Sequence, residues 1–297
     1  MADILGIVGS ARRWGNSDLL VRQALLGAQA EGAAVKAVRL TDLNLLSCTG
    51  CMRCVSGADD PLCPLEDDLA WLVHEIQAAG GLVLAAPTYF LGPAAVVKLV
   101  LDRLLVVMGR INEPLPRVRP AVTIATAGLE SWRGVALPFL NAIAGTFGYR
   151  PIDSLTALAP GPGEVLLDEE LMARLFAAGR RLGRGDLEPA PVPPNVCPIC
   201  RSDCFVLNGA RATCPICGRE AAIEHDGGQV TLRFDEVRGA HQRWTPEGLR
   251  AHVVEWVMAT GPRYQAWRGE IKARRASYRD KEIEWLSPRP SSERSET

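Results

Sequence analysis

This 297-residue chain predicts a doubly wound α/β sheet followed by a small cysteine-rich module and a helical extension. Three observations carry that prediction. Strand-like and helix-like patterns alternate five times up to about residue 185, as a parallel sheet covered by helices on both faces should. The stretch "GLVLAA" (81–86) is apolar throughout, as expected of a central strand buried on both faces. A proline-rich break at 184–196, "RGDLEPAPVPPNV", then reads as a semi-rigid linker to a second set of closely spaced cysteines.

The elements follow in order. "DILGIVGS" (3–10) is a first strand running into a loop. A helix begins at Asn16 with Val21, Ala24, Leu25 and Ala28 on one face. "AAVKAVRL" (33–40) is the second strand. A helix then starts near Asp67 and Asp68, which suit the positive end of its dipole, and carries Leu69, Leu72, Val73 and Ile76 on one face. After the strand at 81–86 comes a helix over 94–109, with Val97, Val100, Leu101 and Leu104 inward. "PAVTIATA" (120–127), a helix over 134–147, a strand over 152–158 and a helix over 169–183 complete the unit. Five β-α units in this order fit a flavodoxin-like, five-stranded parallel sheet. Such sheets bind ligands beyond the carboxyl ends of their strands.

Composition narrows the function. Hydrophobic residues make up 47% and the net charge is −1, so nothing in the overall charge favours nucleic acid or an anionic membrane. The most apolar window is broken by Pro and Gly and soon meets Lys98 and Asp102, too interrupted to span a bilayer. No secretory pattern is visible, so a cytoplasmic location is expected. There, tight cysteine clusters point to metals or redox chemistry rather than structural disulfides.

"GSARRWGNS" (9–17) joins the first strand to the first helix. A helix start exposes unpaired N–H groups and partial positive charge. Ser10, Asn16 and Ser17 add short hydrogen-bonding side chains and Arg12 a charge. A Ser/Asn-rich loop without a P-loop lysine suits a monophosphate better than a triphosphate; the plain alternative is a strand-helix turn. With "PTYF" (87–90) and "KLVLDR" (98–103) in the same order, the first 160 or so residues resemble the NADPH-dependent FMN reductase family. The resemblance implies FMN with its phosphate at Ser10, Arg12, Asn16 and Ser17. It implies Pro87, Thr88, Tyr89 and Phe90 along the isoalloxazine ring, and Thr126, Ala127 and Gly128 closing the other side. Tyr89 and Phe90 have core packing as their alternative role. The resemblance also implies NAD(P)H as a donor and a homo-oligomer in which the third helix meets a partner. Lys98 and Asp102 read as a surface i, i+4 ion pair, and no catalytic role is assigned to them or to Arg103.

"CTGCMRCVSGADDPLC" holds Cys48, Cys51, Cys54 and Cys63. Three thiols at C-x2-C-x2-C suit three corners of a [4Fe-4S] cube, with Cys63 as the fourth ligand. A thiol-disulfide pair such as Cys51 and Cys54 is a second reading, and thiols without a cluster a third. The stretch resembles the iron-sulfur flavoproteins, a branch of the same family, although their last gap is usually shorter. FMN beside a cluster would convert two-electron hydride chemistry into single-electron transfer.

Beyond the linker, Cys197, Cys200, Cys214 and Cys217 form C-x2-C-x13-C-x2-C. Paired knuckles at this separation point to a structural Zn²⁺, with a rubredoxin-like iron site as the alternative. The repeated "CPIC" resembles zinc ribbons, and Cys204 is left out of the ligand set. The module spans 197–235 and includes a hairpin, "AAIEH-DGG-QVTLRF". A helical extension over 236–286 carries helices at 246–259 and 262–276, and 287–297 reads as a disordered tail. His252 falls on the apolar spacing of Leu249, Val253 and Trp256 and reads as half-buried. The basic stretch 268–281 reads as a solvated helix face, so no nucleic-acid partner is expected. The sequence as a whole reads as an FMN oxidoreductase passing electrons between NAD(P)H or a protein donor, FMN and a [4Fe-4S] cluster. A clusterless reductase of flavin, quinone or another small electrophile is the first alternative. A redox sensor that binds a partner is the second.

Overall fold

A computed structural model describes residues 3–55, 63–108, 118–234 and 243–279. Its first unit is a parallel sheet of β1 (Ile4–Val8), β2 (Val35–Arg39), β3 (Gly81–Tyr89), β5 (Arg119–Ala127) and β6 (Tyr149–Leu158), with a two-residue β4 (Gly92–Pro93) folded back on β3. The order is β2-β1-β3-β5-β6. The order reverses at β1, so the loops after β1 and β3 part there and leave a crevice at the carboxyl ends. Alternate residues of the central strands face opposite layers. Ile4, Val8, Val83, Ala85, Val122 and Ile124 pack toward α1 (Asn16–Ala30) and α6 (Glu169–Gly183). Leu5, Ile7, Leu82, Leu84 and Ala121 pack toward α2 (Leu69–Ala78), α3 (Ala95–Asp102) and α5 (Ala136–Thr146).

The helix expected over 94–109 is broken. It ends at Asp102, turns at Arg103 and Leu104, and resumes as the short α4 (Leu105–Met108). Arg103 is buried, 4% exposed, and its guanidinium turns toward Asp67 at the start of α2.

The second unit is a four-stranded antiparallel sheet of β7 (Val206–Asn208), β8 (Arg211–Thr213), β9 (Glu220–Asp226) and β10 (Gln229–Phe234). Gly227 and Gly228, both at positive φ, make the β9–β10 hairpin turn. The proline-rich stretch lies against β6, with the Ala190 amide donating to the Ile152 carbonyl at 2.8 Å.

At the C-terminal side, α7 (Pro246–Ala251) is capped by Thr245, whose hydroxyl oxygen accepts from the Gly248 amide at 3.0 Å. It continues through a π-helical stretch, His252–Met258, into α8 (Thr260–Arg279). This differs from two separate helices with His252 half-buried. The i→i+5 bonding widens the turns and rotates the inward face. Leu249 and Val253 are buried, while His252 is exposed. The tail at 287–297 lies outside the described residues. No helix among the described residues is long and apolar enough to cross a membrane.

Candidate functional site

The loop after β1 delivers the chain to α1 with Gly15 at the cap position and no side chain capping it. The first-turn N–H groups are therefore open to an anion. Ser10 and Ser17 are buried at the base of this loop. The Ser10 hydroxyl oxygen accepts from the Arg12 amide at 3.2 Å, and Ser17 Oγ lies 3.1 Å from Thr126 Oγ1. Thr126 thus sits beside the helix start. Arg12 is exposed. The Asn16 amide nitrogen is committed elsewhere: it donates to the carbonyls of Ala159 and Gly161, both at 2.9 Å, and ties the loop after β6 to the crevice. Among the described residues, Asn16 Oδ1 is buried without a hydrogen-bond partner, an acceptor left for a ligand hydroxyl or a water.

Two residues that sequence reasoning missed fasten this loop. Arg39 donates to the Ser10 carbonyl at 2.6 Å and pairs with the buried Asp18 at 3.1 Å. Asp18 also accepts from the Trp14 amide at 2.8 Å. Trp14 is held at φ +60 with the Arg22 guanidinium 4.3 Å from its ring centroid. Asp18 in the first turn of α1 was a visible signal, but nothing local pairs it with Arg39.

The loop after β3 is a tight hairpin in which Tyr89 faces Gly92 across a two-residue turn. Both turn residues, Phe90 and Leu91, have positive φ, the sign pattern of a type I′ turn. For bulky L-residues this costs roughly 1–2 kcal/mol each. Phe90 is 90% exposed and meets Trp132 edge to face at a centroid distance of 6.2 Å. Pro87 and Thr88 are half-buried and Tyr89 is exposed. On the facing loop, Ala127 is buried and its carbonyl accepts from Ala159 at 2.9 Å. Gly128 is the first exposed residue there, followed by the exposed Leu129 and Trp132. Leu129 and Trp132 were not singled out from sequence. Hydroxyls and open amides at one end and an aromatic wall at the other are a donor set that fits FMN.

Cys48, Cys51, Cys54 and Cys63 line one cavity of about 100 Å³, closed by Leu105, Val106 and Arg103. A single tetrahedral ion holds its thiolates within about 4 Å of one another, and these four do not meet that spacing. Burial, then the nearby Cys63, Cys51 and Cys48 thiols, pushes the Cys54 thiol up, while the Arg53 amide leads in drawing Cys51 down. Arg103 donates to Cys63 Sγ at 3.1 Å and to the Leu46 carbonyl at 3.2 Å. It also forms a bidentate pair with Asp67, the side chains being 3% and 1% exposed. Asp67 in turn accepts from the amides of Leu46 at 2.8 Å and Leu69 at 3.3 Å. The pair fastens both ends of the cysteine loop.

In the second unit the Sγ atoms of Cys197, Cys200, Cys214 and Cys217 all lie within 4.8 Å of one another, and all four residues are buried. The pairs Cys197–Cys217 and Cys200–Cys214 are 3.5 and 3.4 Å apart. Each knuckle turns on matched backbone bonds, Arg201 N to Cys197 O and Gly218 N to Cys214 O, both at 2.9 Å. A metal ion fits this set. Cys204 is half-buried and outside it.

The model of the NADPH-dependent FMN reductase family matches residues 2–159. The chain belongs to this family. It is an FMN-binding flavoprotein and an oxidoreductase. An iron-sulfur flavoprotein of Methanocaldococcus jannaschii is 37% identical over 100 residues, which are 34% of this chain and 50% of that relative, so the chain spans about half its length. A flavone synthase of Aspergillus candidus is 26% identical over 283 residues, 84% of this chain and 87% of that protein. A solved flavone reductase superposes with a TM-score of 0.78 at 24% identity, covering 96% of this chain and 99% of its own. That likeness is one of fold, and it extends through the cysteine ribbon and into the C-terminal helices.

Proposed function

We propose that this flavoprotein takes hydride from NAD(P)H and reduces a flat, conjugated small molecule over the loop after β3. The observation that carries this reading is the turn at Phe90 and Leu91. An aromatic side chain 90% exposed, held in a costly conformation beside the exposed Trp132, is a prepared stacking surface. Bound FMN supplies a carrier that accepts a hydride and returns electrons to a second substrate. In this reading Ser10, Ser17, Thr126 and the open start of α1 hold its phosphate end, and Thr88, Tyr89 and Gly128 border its ring. The relative that aligns along most of the chain is a flavone synthase, which supports a flat flavonoid as the molecule handled at this site. The cysteine ribbon holds Zn²⁺ as a structural ion.

The test is steady-state turnover of flavin-loaded protein with NADH and NADPH against flavone, menadione and ferricyanide. Turnover of the planar acceptors, lost in Phe90→Ala while ferricyanide reduction persists, supports the reading. Reduction of the bound flavin with no turnover of any planar acceptor sinks it.

A second reading has its own observation. Four cysteines lining one cavity beside Arg103 support a [4Fe-4S] relay that takes electrons singly from the flavin to a protein acceptor. Iron and acid-labile sulfide counted on anaerobically purified protein decide it: about four irons per chain favour the relay, and none removes it. A homo-oligomer belongs to both readings, because Phe90, Trp132 and Leu129 leave an exposed apolar face at the site. Sedimentation would find a monomer if that face only meets substrate. The unpaired state of all nine cysteines fits a reducing compartment such as the cytoplasm.

A further inference from the structure

We propose that the cysteine ribbon positions the aromatic wall of the acceptor site, through an ion pair between Asp203 and Arg133. The proposal rests on the reading of Phe90 and Trp132 as that wall.

The contacts run without a gap from one unit to the other. The first knuckle is followed by Arg201, 5% exposed, whose guanidinium donates to the carbonyls of Ala190 at 2.9 Å and Ile152 at 3.2 Å. This seats the knuckle against β6. Two residues further on, Asp203 pairs with Arg133, which stands on the loop after β5 and also pairs with Glu130 at 2.8 Å. The Arg133 carbonyl accepts from Thr88 Oγ1 at 3.4 Å. Gly134 sits at φ +51 directly against the Leu91 carbonyl, where a Cβ would overlap it. The Val135 amide donates to the same carbonyl at 2.8 Å. On the other side of Arg133, Trp132 meets the Phe90 ring.

A strained, glycine-free turn keeps its shape only when its surroundings over-determine it. Here the surroundings are residues 132–135, and the side chain that anchors them from outside the sheet is Asp203. The anchor is rigid because two of the four clustered thiols, Cys197 and Cys200, flank the turn that leads into it. A metal on those thiols would stiffen the wall without touching substrate. Asp203 and Arg133 are positioning residues.

The test is Asp203→Asn in full-length, flavin-loaded protein, with Asp203→Glu as the conservative rescue. Hydrogen exchange at the Val135 amide is expected to rise roughly tenfold in Asp203→Asn and to return toward wild type in Asp203→Glu. The Cys214 and Gly218 amides of the ribbon keep their protection. With flavone as the probe, KM rises severalfold with little change in kcat, while ferricyanide reduction is unchanged because it needs no stacking wall. Val135 exchange equal to wild type overturns the proposal, whatever the acceptor. Faster exchange with an unchanged flavone KM keeps the mechanical link and overturns the reading of Phe90 and Trp132 as the acceptor wall. If Asp203→Asn also unprotects the ribbon amides, Arg133→Gln, which leaves the ribbon intact, decides by the same two readouts.

Discussion

Replacing Asp67 with alanine removes a carboxylate and strands the Arg103 guanidinium, whose side chain is 3% exposed. Among the described residues, Arg103 would keep only the Leu46 carbonyl and the Cys63 sulfur as neighbours within hydrogen-bond reach. Leaving one member of a buried pair uncompensated costs about 3–5 kcal/mol, a large share of a total stability of about 5–15 kcal/mol. For a domain of this size that is a fall in Tm of roughly 10 °C. Arg103→Met should cost less, because Asp67 retains the amides of Leu46 and Leu69 and can take up a proton. The double variant Asp67→Leu with Arg103→Met should recover most of the loss, since an apolar pair of similar volume often replaces a buried ion pair at little cost. Urea unfolding followed by circular dichroism gives these values, with the single Asp67→Leu added to close the cycle. Additive costs, with a coupling below about 0.5 kcal/mol, would refute the idea that these side chains act as a unit. The same variants separate stability from thiol protection: in the double variant Cys63 has lost its donor and should alkylate faster than in wild type. The pair also sets an acid limit. Burial works to raise the Asp67 carboxyl, but Arg103 and the two amides outweigh it and hold it below its ordinary value. The stabilisation is therefore complete above the unfolded value of about 3.9 and lost as pH falls through the lower folded value. Melting temperatures should be flat from pH 8 to 6 and drop below about pH 4.

Asn16→Ala removes both ties to the loop after β6 and should weaken FMN binding about tenfold, measured by the recovery of free-flavin fluorescence; unchanged affinity would mean that this loop does not shape the site. A Cβ at Gly145 would meet the Trp244 ring at 2.9 Å, so Gly145→Leu should push Trp244 off α5 and expose the C-terminal helices to limited proteolysis while flavin binding is kept. Cys200→Ser should release the Zn²⁺ proposed for the ribbon, counted by elemental analysis, and lower the protection of the β8 and β9 amides, because a metal held by four thiolates would substitute for a core that this small sheet lacks.

The sheet was legible because its signals are local. Apolar runs at 81–86 and 120–127 and helical spacing from Asn16 need only neighbours in sequence to be read, and each corresponds to an element of the structure. The cysteine knuckles were legible for the same reason. What the sequence hid is pairing at a distance. Arg103 and Asp67 are separated by 36 residues, and nothing local joins them, whereas the Lys98–Asp102 pair is on the surface as its spacing suggests. Asp18 and Arg39 meet only because β2 lies beside β1. His252 was misplaced because its spacing presumed an α-helix, and at the start of the π stretch Leu249 and Val253 stay buried while His252 and Trp256 turn outward.

Backbone strain was also invisible in the sequence, and it gathers at the candidate site and the first knuckle. Among the described residues, the non-glycine residues with positive φ are Trp14, Met52, Phe90, Leu91 and Arg201. They lie in the loop after β1, the cysteine loop, the aromatic turn and the first knuckle. Arg201 allows the sharpest trial, because Gly218 holds the equivalent place in the second knuckle, after the same "CPIC", at φ +80. Arg201→Gly relieves about 1–2 kcal/mol of left-handed backbone cost but forfeits the charged donors to Ala190 and Ile152, worth about 1.5–3 kcal/mol for each such bond. Burial already draws the Arg201 guanidinium down, and its Nε is buried without a partner among the described residues, so the loss lies at the low end. The balance is a net destabilisation of roughly 1–2 kcal/mol. It should fall on the seating of the ribbon rather than on its fold: metal content stays, because glycine suits the knuckle, and protease sensitivity of the 186–196 stretch increases. A variant that is more stable and no more sensitive would mean that the arginine is tolerated at this position without serving the contact between the two units.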